Sequence, residues 1–136
     1  MNASIPIEYD RQFSIHLYWV SHGPLLLRSG KDKKNPNRID LLFNDVRWMA
    51  LPVWFDGLRV ERGELSAIPI PLTAKIKKEA HLMSAYKLIS QGVAHWILAG
   101  KNVAVAEDQM NYFEDSVLLP NFDFKAFTAP LWKEAD

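Results

Sequence analysis

The stretch that decides the fold is residues 38–60, which read RIDLLFNDVRWMALPVWFDGLRV. Apolar and polar residues alternate along its runs, which is typical of strands that bury one face. A two-residue turn at Asn44–Asp45 predicts a hairpin over residues 38–51 in which Leu41 faces Trp48. One face of that hairpin is then uniformly apolar, so we expect Trp48 to be buried in the core.

A second hairpin is predicted directly after the first, because Asp56–Gly57 is a preferred residue pair for a type I′ turn. With the turn at that point, Phe55 faces Leu58 on the apolar side. Trp54 then faces Arg59 on the other side, close enough for a cation–π contact.

The remaining segments predict further strands and one helix. Residues 12–20 alternate with a period of two and indicate a strand. The helix lies around residues 73–90, although a strand over residues 86–90 is an alternative for its last part. Residues 93–107 have the pattern of a third hairpin, which turns near residues 100–102.

These elements predict an α+β fold of mainly antiparallel β-hairpins, forming a curved sheet, a small barrel or a sandwich with the helix packed against it. The chain has 136 residues, which suits a single domain spanning residues 1–136. A domain of this size can bury a stable core without a metal or a disulfide.

The composition excludes several functional classes. The absence of cysteine rules out a disulfide scaffold, a thiolate zinc site and a cysteine nucleophile, and it fits a reducing compartment. Because there is no apolar signal region and no long apolar run, we expect a cytoplasmic protein without membrane contact. The net charge of zero argues against nucleic acid as a partner.

Candidate catalytic residues are few, because the chain carries no recognisable catalytic, metal-binding or cofactor-binding motif. We therefore expect no cofactor and no metal site, and whether the chain is an enzyme stays open. His22 lies in the turn Ser21–Pro24, where a histidine could act as a general base near neutral pH. The simpler interpretation is a turn residue that bonds a backbone carbonyl. His16 is the second candidate, on a strand face that could line a cavity.

Arginine side chains provide the candidate ligand-binding residues. All six lie at or before Arg62, and a sheet face that carries them could bind carboxylate or phosphate through the planar guanidinium. The candidates, with one aromatic neighbour, are Arg28, Arg47, Trp54 and Arg59. Basic residues interleaved with aromatics can also bind single-stranded nucleic acid, although aspartates interrupt this cluster.

Residues 117–136 are predicted to form an aromatic C-terminal arm, and its large side chains are Phe122, Phe124, Phe127 and Trp132. Four such side chains in water would form an apolar patch that soluble monomers rarely tolerate, so we expect them to be buried. Either the arm packs on its own domain, or it is an interface for a neighbouring subunit or a partner.

Three functions are compatible with these features. The leading hypothesis is a non-catalytic recognition module that binds a protein partner or self-associates. The alternative is a small-molecule-binding or hydrolytic domain that uses His16, His22 and nearby arginines in a sheet cavity. The second alternative is a single-stranded nucleic-acid binder.

Overall fold

The computed structural model describes residues 2–20, 23–69 and 74–119, and strands dominate these ranges. The strands are β1 (Ile7–Tyr18), β2 (Leu25–Ser29), β3 (Arg38–Phe43), β4 (Trp48–Ala50), β5 (Trp54–Gly63), β6 (Met83–Ser90), β7 (Val93–Gly100) and β8 (Val103–Asp108). The helical elements are α1 (Ala74–Glu79) and two 3₁₀ helices, Leu65–Ala67 and Ala80–Leu82. No helix within the described ranges is long and apolar enough to cross a membrane.

All eight strands belong to one sheet, in the order β4-β7-β6-β5-β1-β2-β3-β8, and every pairing is antiparallel. The predicted α+β fold of mainly antiparallel strands is therefore confirmed. The sheet is open, with β4 and β8 at its two ends, so the described strands form neither a closed barrel nor a sandwich of two sheets. The predicted strand over residues 12–20 corresponds to β1.

The hairpins predicted over residues 38–51 and 93–107 are wrong. β3 pairs with β2 and β8, whereas β4 pairs with β7, so neither predicted pair of strands is adjacent. Phe43 lies opposite Val103 and Trp48 lies opposite Leu98. Trp48 follows Phe43 by five residues, and Val103 follows Leu98 by five residues, so the two pairings have the same register. Residues 38–50 and residues 93–108 therefore run antiparallel as one kinked, two-stranded ribbon. One half of this ribbon lies at each end of the strand order.

The hairpin predicted at Asp56–Gly57 is also wrong, because β5 continues through both residues. The register between β1 and β5 shifts between Tyr9 and Gln12, opposite Gly57, whose φ is +78°. The residue pair Asp56–Gly57 predicted a turn because glycine adopts a positive φ readily. In the structure Gly57 has this positive φ, but at a register shift within the ladder rather than in a turn. Trp54 consequently lies opposite Ser14, and the expected contact between Trp54 and Arg59 across a hairpin does not form.

The helix predicted around residues 73–90 is much shorter than expected. Residue 73 lies outside the described ranges, α1 ends at Glu79, and residues 83–90 form β6. The alternative of a strand over residues 86–90 is therefore the correct one. β6 pairs with both β5 and β7, and the hydrogen bonds on its two edges override the weak helical pattern of its sequence.

The inner face of the sheet encloses the main core. Buried residues from seven strands form one apolar cluster, and they include Phe13, Leu41, Phe55, Tyr86, Ile97 and Val103. Because β3 and β7 stand at different ends of the strand order yet contribute to the same cluster, the sheet must curl around it. The concave side is therefore filled with side chains.

A second apolar cluster lies on the outer face of β6 and β7. It contains Ile68, Met83, Ala85 and Leu98, and the segment with α1 and the 3₁₀ helices contributes to its cover. Trp48 packs against this cluster and is half-buried, so its predicted full burial and its predicted pairing with Leu41 are both wrong.

Gly57→Val is expected to lower the free energy of unfolding by about 1 kcal/mol or more, because a β-branched residue tolerates a positive φ poorly. A Cβ atom at this position would approach no atom more closely than the Tyr9 carbonyl oxygen, at 4.0 Å, so the cost arises in the backbone. Gly57→Asn is the matched control, since Asn adopts positive φ more readily. Urea unfolding of both variants tests this account, and equal costs would contradict it.

Candidate functional site

A fully buried ion pair lies on the outer face of β2 and β3. Arg28 and Asp40 stand opposite each other in the ladder, and their exposed fractions are 1% and 0%. The guanidinium binds the carboxylate through both oxygens, with Nε to Oδ1 at 2.7 Å and Nη2 to Oδ2 at 3.0 Å. A buried ion needs an oppositely charged partner in such a bidentate contact, because its desolvation costs several kcal/mol.

Arg38 extends this ion pair into a network of four charges. Its exposed fraction is 0%, and it lies opposite Asp108 of β8 in the ladder. It donates to both carboxylate oxygens of Asp108, at 3.0 and 3.1 Å. Its Nη2 atom also lies 3.9 Å from Oδ2 of Asp40. Two cations and two anions thus balance inside the protein.

The same two arginines hold a segment that crosses the outer face, residues 109–119, which we call the strap. Arg38 Nη1 donates to the carbonyl oxygens of Asn111 and Glu114, at 2.9 and 2.7 Å. Arg28 Nη1 donates to the carbonyl of Glu114 at 2.9 Å and to that of Tyr112. The strap is therefore fixed through its backbone.

Tyr112 packs the strap onto the sheet. Its ring meets the ring of His16 edge to face, with centroids 5.3 Å apart, and lies 5.9 Å from the Arg28 guanidinium carbon. A Cβ atom at Gly30 would lie 2.9 Å from the Tyr112 ring, so only glycine allows this close approach.

His16 is held in its neutral form by the network. Its Nε2 atom lies 3.0 Å from Nη1 of Arg28, which can only donate, so Nε2 accepts the hydrogen bond. Burial and the Arg28 charge lower the pKa of His16 below its ordinary value of 6.5. The remaining ring nitrogen, Nδ1, then carries the proton.

A pocket of about 320 Å³ lies between the outer face and the strap, and we call it the outer pocket. Its lining residues are His16, Leu17, Leu26, Arg28, Phe113, Asp115, Ser116 and Leu119. Leu17 and Leu26 belong to a third apolar cluster, against which Leu118 and Leu119 pack. Phe113 is 87% exposed, and Val117, close along the strap, is 49% exposed. The pocket is thus mainly apolar and has a few polar lining groups.

Among the residues that the structure describes, two of the sequence-predicted site residues come together. His16 and Arg28 both line the outer pocket, although the N–H groups of Arg28 already donate to other groups of the protein. Arg47 pairs with Asp45 and Glu79, and Arg59 pairs with Glu61 and Glu8, on other surfaces. Trp54 is 57% exposed in β5. The remaining candidates lie outside the described residues, namely His22, Phe122, Phe124, Phe127 and Trp132.

The sequence interpretation missed Asp40 and the strap. The sequence analysis does not select Asp40, yet its carboxylate is buried between two arginines. A signal was present, since Arg28 follows three leucines and Asp40 lies in an otherwise apolar run. A charge within such a strand indicates burial with a partner.

Metal binding finds no support among the described residues, since no three histidine, aspartate or glutamate side chains come together there. Comparisons with protein-family models, with curated proteins and with solved structures found no match to this chain. The interpretation of the outer pocket therefore rests on its own geometry.

Asp40→Asn is expected to lower the free energy of unfolding by about 3–5 kcal/mol, because it leaves two buried guanidinium groups with one carboxylate. Glu8→Gln is the matched control, since Glu8 meets Arg59 on the surface, where water screens the pair. Its stability should stay close to that of the wild type. Urea unfolding at neutral pH measures both, and a small effect of Asp40→Asn would show that the network does not hold the strap.

Stability is expected to fall as the pH drops below about 6.5, because of His16. Above that pH the imidazole is neutral in both states and contributes nothing. Below it the unfolded chain binds a proton that the folded chain, with its lowered pKa, does not bind, so the unfolded state gains. His16→Gln should flatten this fall, whereas His81→Gln, at an exposed position, should retain it. An unchanged pH profile in His16→Gln would contradict the assignment.

Proposed function

We propose that this protein is a non-catalytic recognition module that binds a protein partner by accepting a large apolar side chain in the outer pocket. The observation that carries the proposal is the 87% exposure of Phe113 at an apolar pocket. A phenylalanine left in water beside Leu17, Leu26 and Leu119 offers an aromatic contact to an incoming ring. Buried aromatic anchors in such pockets dominate the energetics of protein interfaces.

The pocket is built before a partner arrives. Arg28 and Arg38 fix the strap through its carbonyl groups, so a partner does not need to order this wall on binding. Preorganisation of this kind raises affinity because less conformational entropy is lost.

The polar lining groups of the pocket can orient what binds. They are Asp115, Ser116 and His16, and the neutral imidazole of His16 offers its Nδ1–H as a donor. A few polar groups around an apolar pocket provide direction and specificity.

A second candidate function, favoured by the position of His16 beside Arg28, is the binding of a small apolar molecule. The volume of about 320 Å³ is at the lower end of the range of ligand pockets, roughly 300–1,000 Å³. The Nε2 lone pair of His16 is engaged by Arg28, and that contact favours binding over general-base catalysis.

Selection of short random peptides displayed on phage against the full-length chain tests the proposed function. We expect the enriched peptides to share a large apolar residue and the affinity of a synthetic copy to fall at least about tenfold in Phe113→Ala. Trp54→Ala is the matched control, because it removes another exposed aromatic outside the pocket, and it should leave the affinity unchanged. The affinities are measured by calorimetry.

Two results would count against protein recognition at this pocket. One is enrichment of peptides that bind Phe113→Ala as tightly as the wild type. The other is no enrichment at all combined with a small apolar probe, such as an anilinonaphthalene dye, that binds in a Phe113-dependent way, which would favour the second candidate.

A further inference from the structure

We infer that the partner of the outer pocket is a basic segment, in which an arginine accompanies the apolar anchor and binds Asp115 beside the ring of Phe113. This inference rests on the proposed function, because it names the chemistry of the partner for the same pocket. It begins from Asp115, the one acidic side chain among the described residues that line the outer pocket.

The carboxylate of Asp115 has no cationic partner among the described residues. Arg28 also lines the pocket, but it binds both carboxylate oxygens of Asp40 and donates through Nη1 to carbonyl groups of the strap. The charges of the buried network already balance, and the imidazole of His16 is neutral. The lining of the pocket therefore keeps the negative charge of Asp115.

The backbone that carries this carboxylate is fixed before a ligand arrives. Arg38 Nη2 donates to the carbonyl oxygen of Asp115 at 3.0 Å. The next residue, Ser116, is buried, and its hydroxyl oxygen accepts the N–H of Leu118 at 3.2 Å. Binding of a cation therefore has to order only the side-chain torsions of Asp115, which keeps the entropic cost low.

Phe113 provides the aromatic face on which a guanidinium stacks. Its ring is largely exposed, and it precedes Asp115 by two residues, so at most about 7 Å separates the two Cα atoms. A guanidinium can stack on an aromatic ring and bind a carboxylate through two N–H groups. The aliphatic stem of the same arginine can lie along Leu17 and Leu26 of the pocket wall.

The charge of the strap favours the same partner. Residues 109–119 contain Glu114 and Asp115 but no lysine, arginine or histidine. Lys31 binds the carbonyl of Gln109 at the start of the strap, and it does not line the pocket. A surface of one sign attracts a segment of the opposite sign and repels a segment of the same sign.

Other partners fit less well. An acidic segment would place like charges together at Asp115, which is unfavourable. An uncharged anchor that covers the carboxylate would remove its water without replacing the lost hydrogen bonds. An arginine replaces them.

Two small probes test the charge requirement by NMR titration of the full-length chain. Phenethylguanidinium carries a ring and a cation, and phenethylurea has nearly the same shape without the charge. Both are followed through the methyl resonances of Leu17 and Leu26, with Leu98 of the second apolar cluster as the internal control. The cation should bind the wild type at least about fivefold more tightly than the urea, and Asp115→Asn should reduce this preference to less than about twofold.

Glu114→Gln is the matched control, because it removes the same charge from a neighbouring residue that does not line the pocket. It should keep the wild-type preference within about twofold. Both side chains are exposed, so both variants should unfold at the wild-type urea concentration. Equal affinity of the wild type for the two probes would overturn the inference, as would no shift of Leu17 and Leu26 at millimolar phenethylguanidinium. Equal losses in Asp115→Asn and Glu114→Gln would also overturn it.

The peptides selected for the proposed function separate the two failures. Peptides that need Phe113, lack arginine and bind Asp115→Asn as tightly as the wild type would refute this inference and leave the proposed function standing. Peptides that ignore Phe113, together with phenethylguanidinium binding that depends on Asp115, would refute protein recognition at this pocket. The preference for a cation at Asp115 would then remain.

Discussion

The carboxylate of Asp40, placed between the buried guanidinium groups of Arg28 and Arg38, is the interaction on which the outer surface depends. Two cations at 0–1% exposure require two anions, and Asp108 is the second. The arginine N–H groups that do not bind a carboxylate donate to the carbonyl oxygens of the strap. This network of four charges therefore holds β2, β3, β8 and the strap together. Because β2 and the strap line the outer pocket, the network also fixes the shape of that pocket.

The period of the strands could be predicted from the sequence, but their partners could not. Alternation shows which residues share a face, whereas pairing depends on which edges meet in three dimensions. β3 is buried at every position because the main core covers one of its faces and the strap with the third apolar cluster covers the other. It also pairs with β2 and β8, so it cannot be half of an isolated hairpin. Asp45 and Gly57 do have positive φ, as their residue types suggest, yet the chain uses them in a kink and in a ladder irregularity. Local preference fixes the dihedral angle but not the chain direction that follows.

The candidate site was only partly predictable for a related reason. His16 and Arg28 were named from the sequence, but their meeting depends on the pairing of β1 with β2. The strap could not be identified from the sequence, because it is held through backbone carbonyls that every residue type possesses. Such binding leaves no signature in the sequence of the bound segment. The sequence signal is found instead in the arginines that bind the segment, because they are charged residues within apolar strands.

Backbone anchoring also explains how one short segment can be both rigid and exposed. Because the arginines hold carbonyl groups, the polar attachment of the strap rests mainly on its backbone. Tyr112 turns inward against His16, while its neighbour Phe113 points into solvent with centroids of the two rings 5.1 Å apart. An exposed aromatic on a mobile loop would lose much of its binding energy to ordering, whereas this one is fixed in advance by the buried charges beneath it. Stability and the proposed recognition therefore depend on the same network, and a change to Asp40 should affect both.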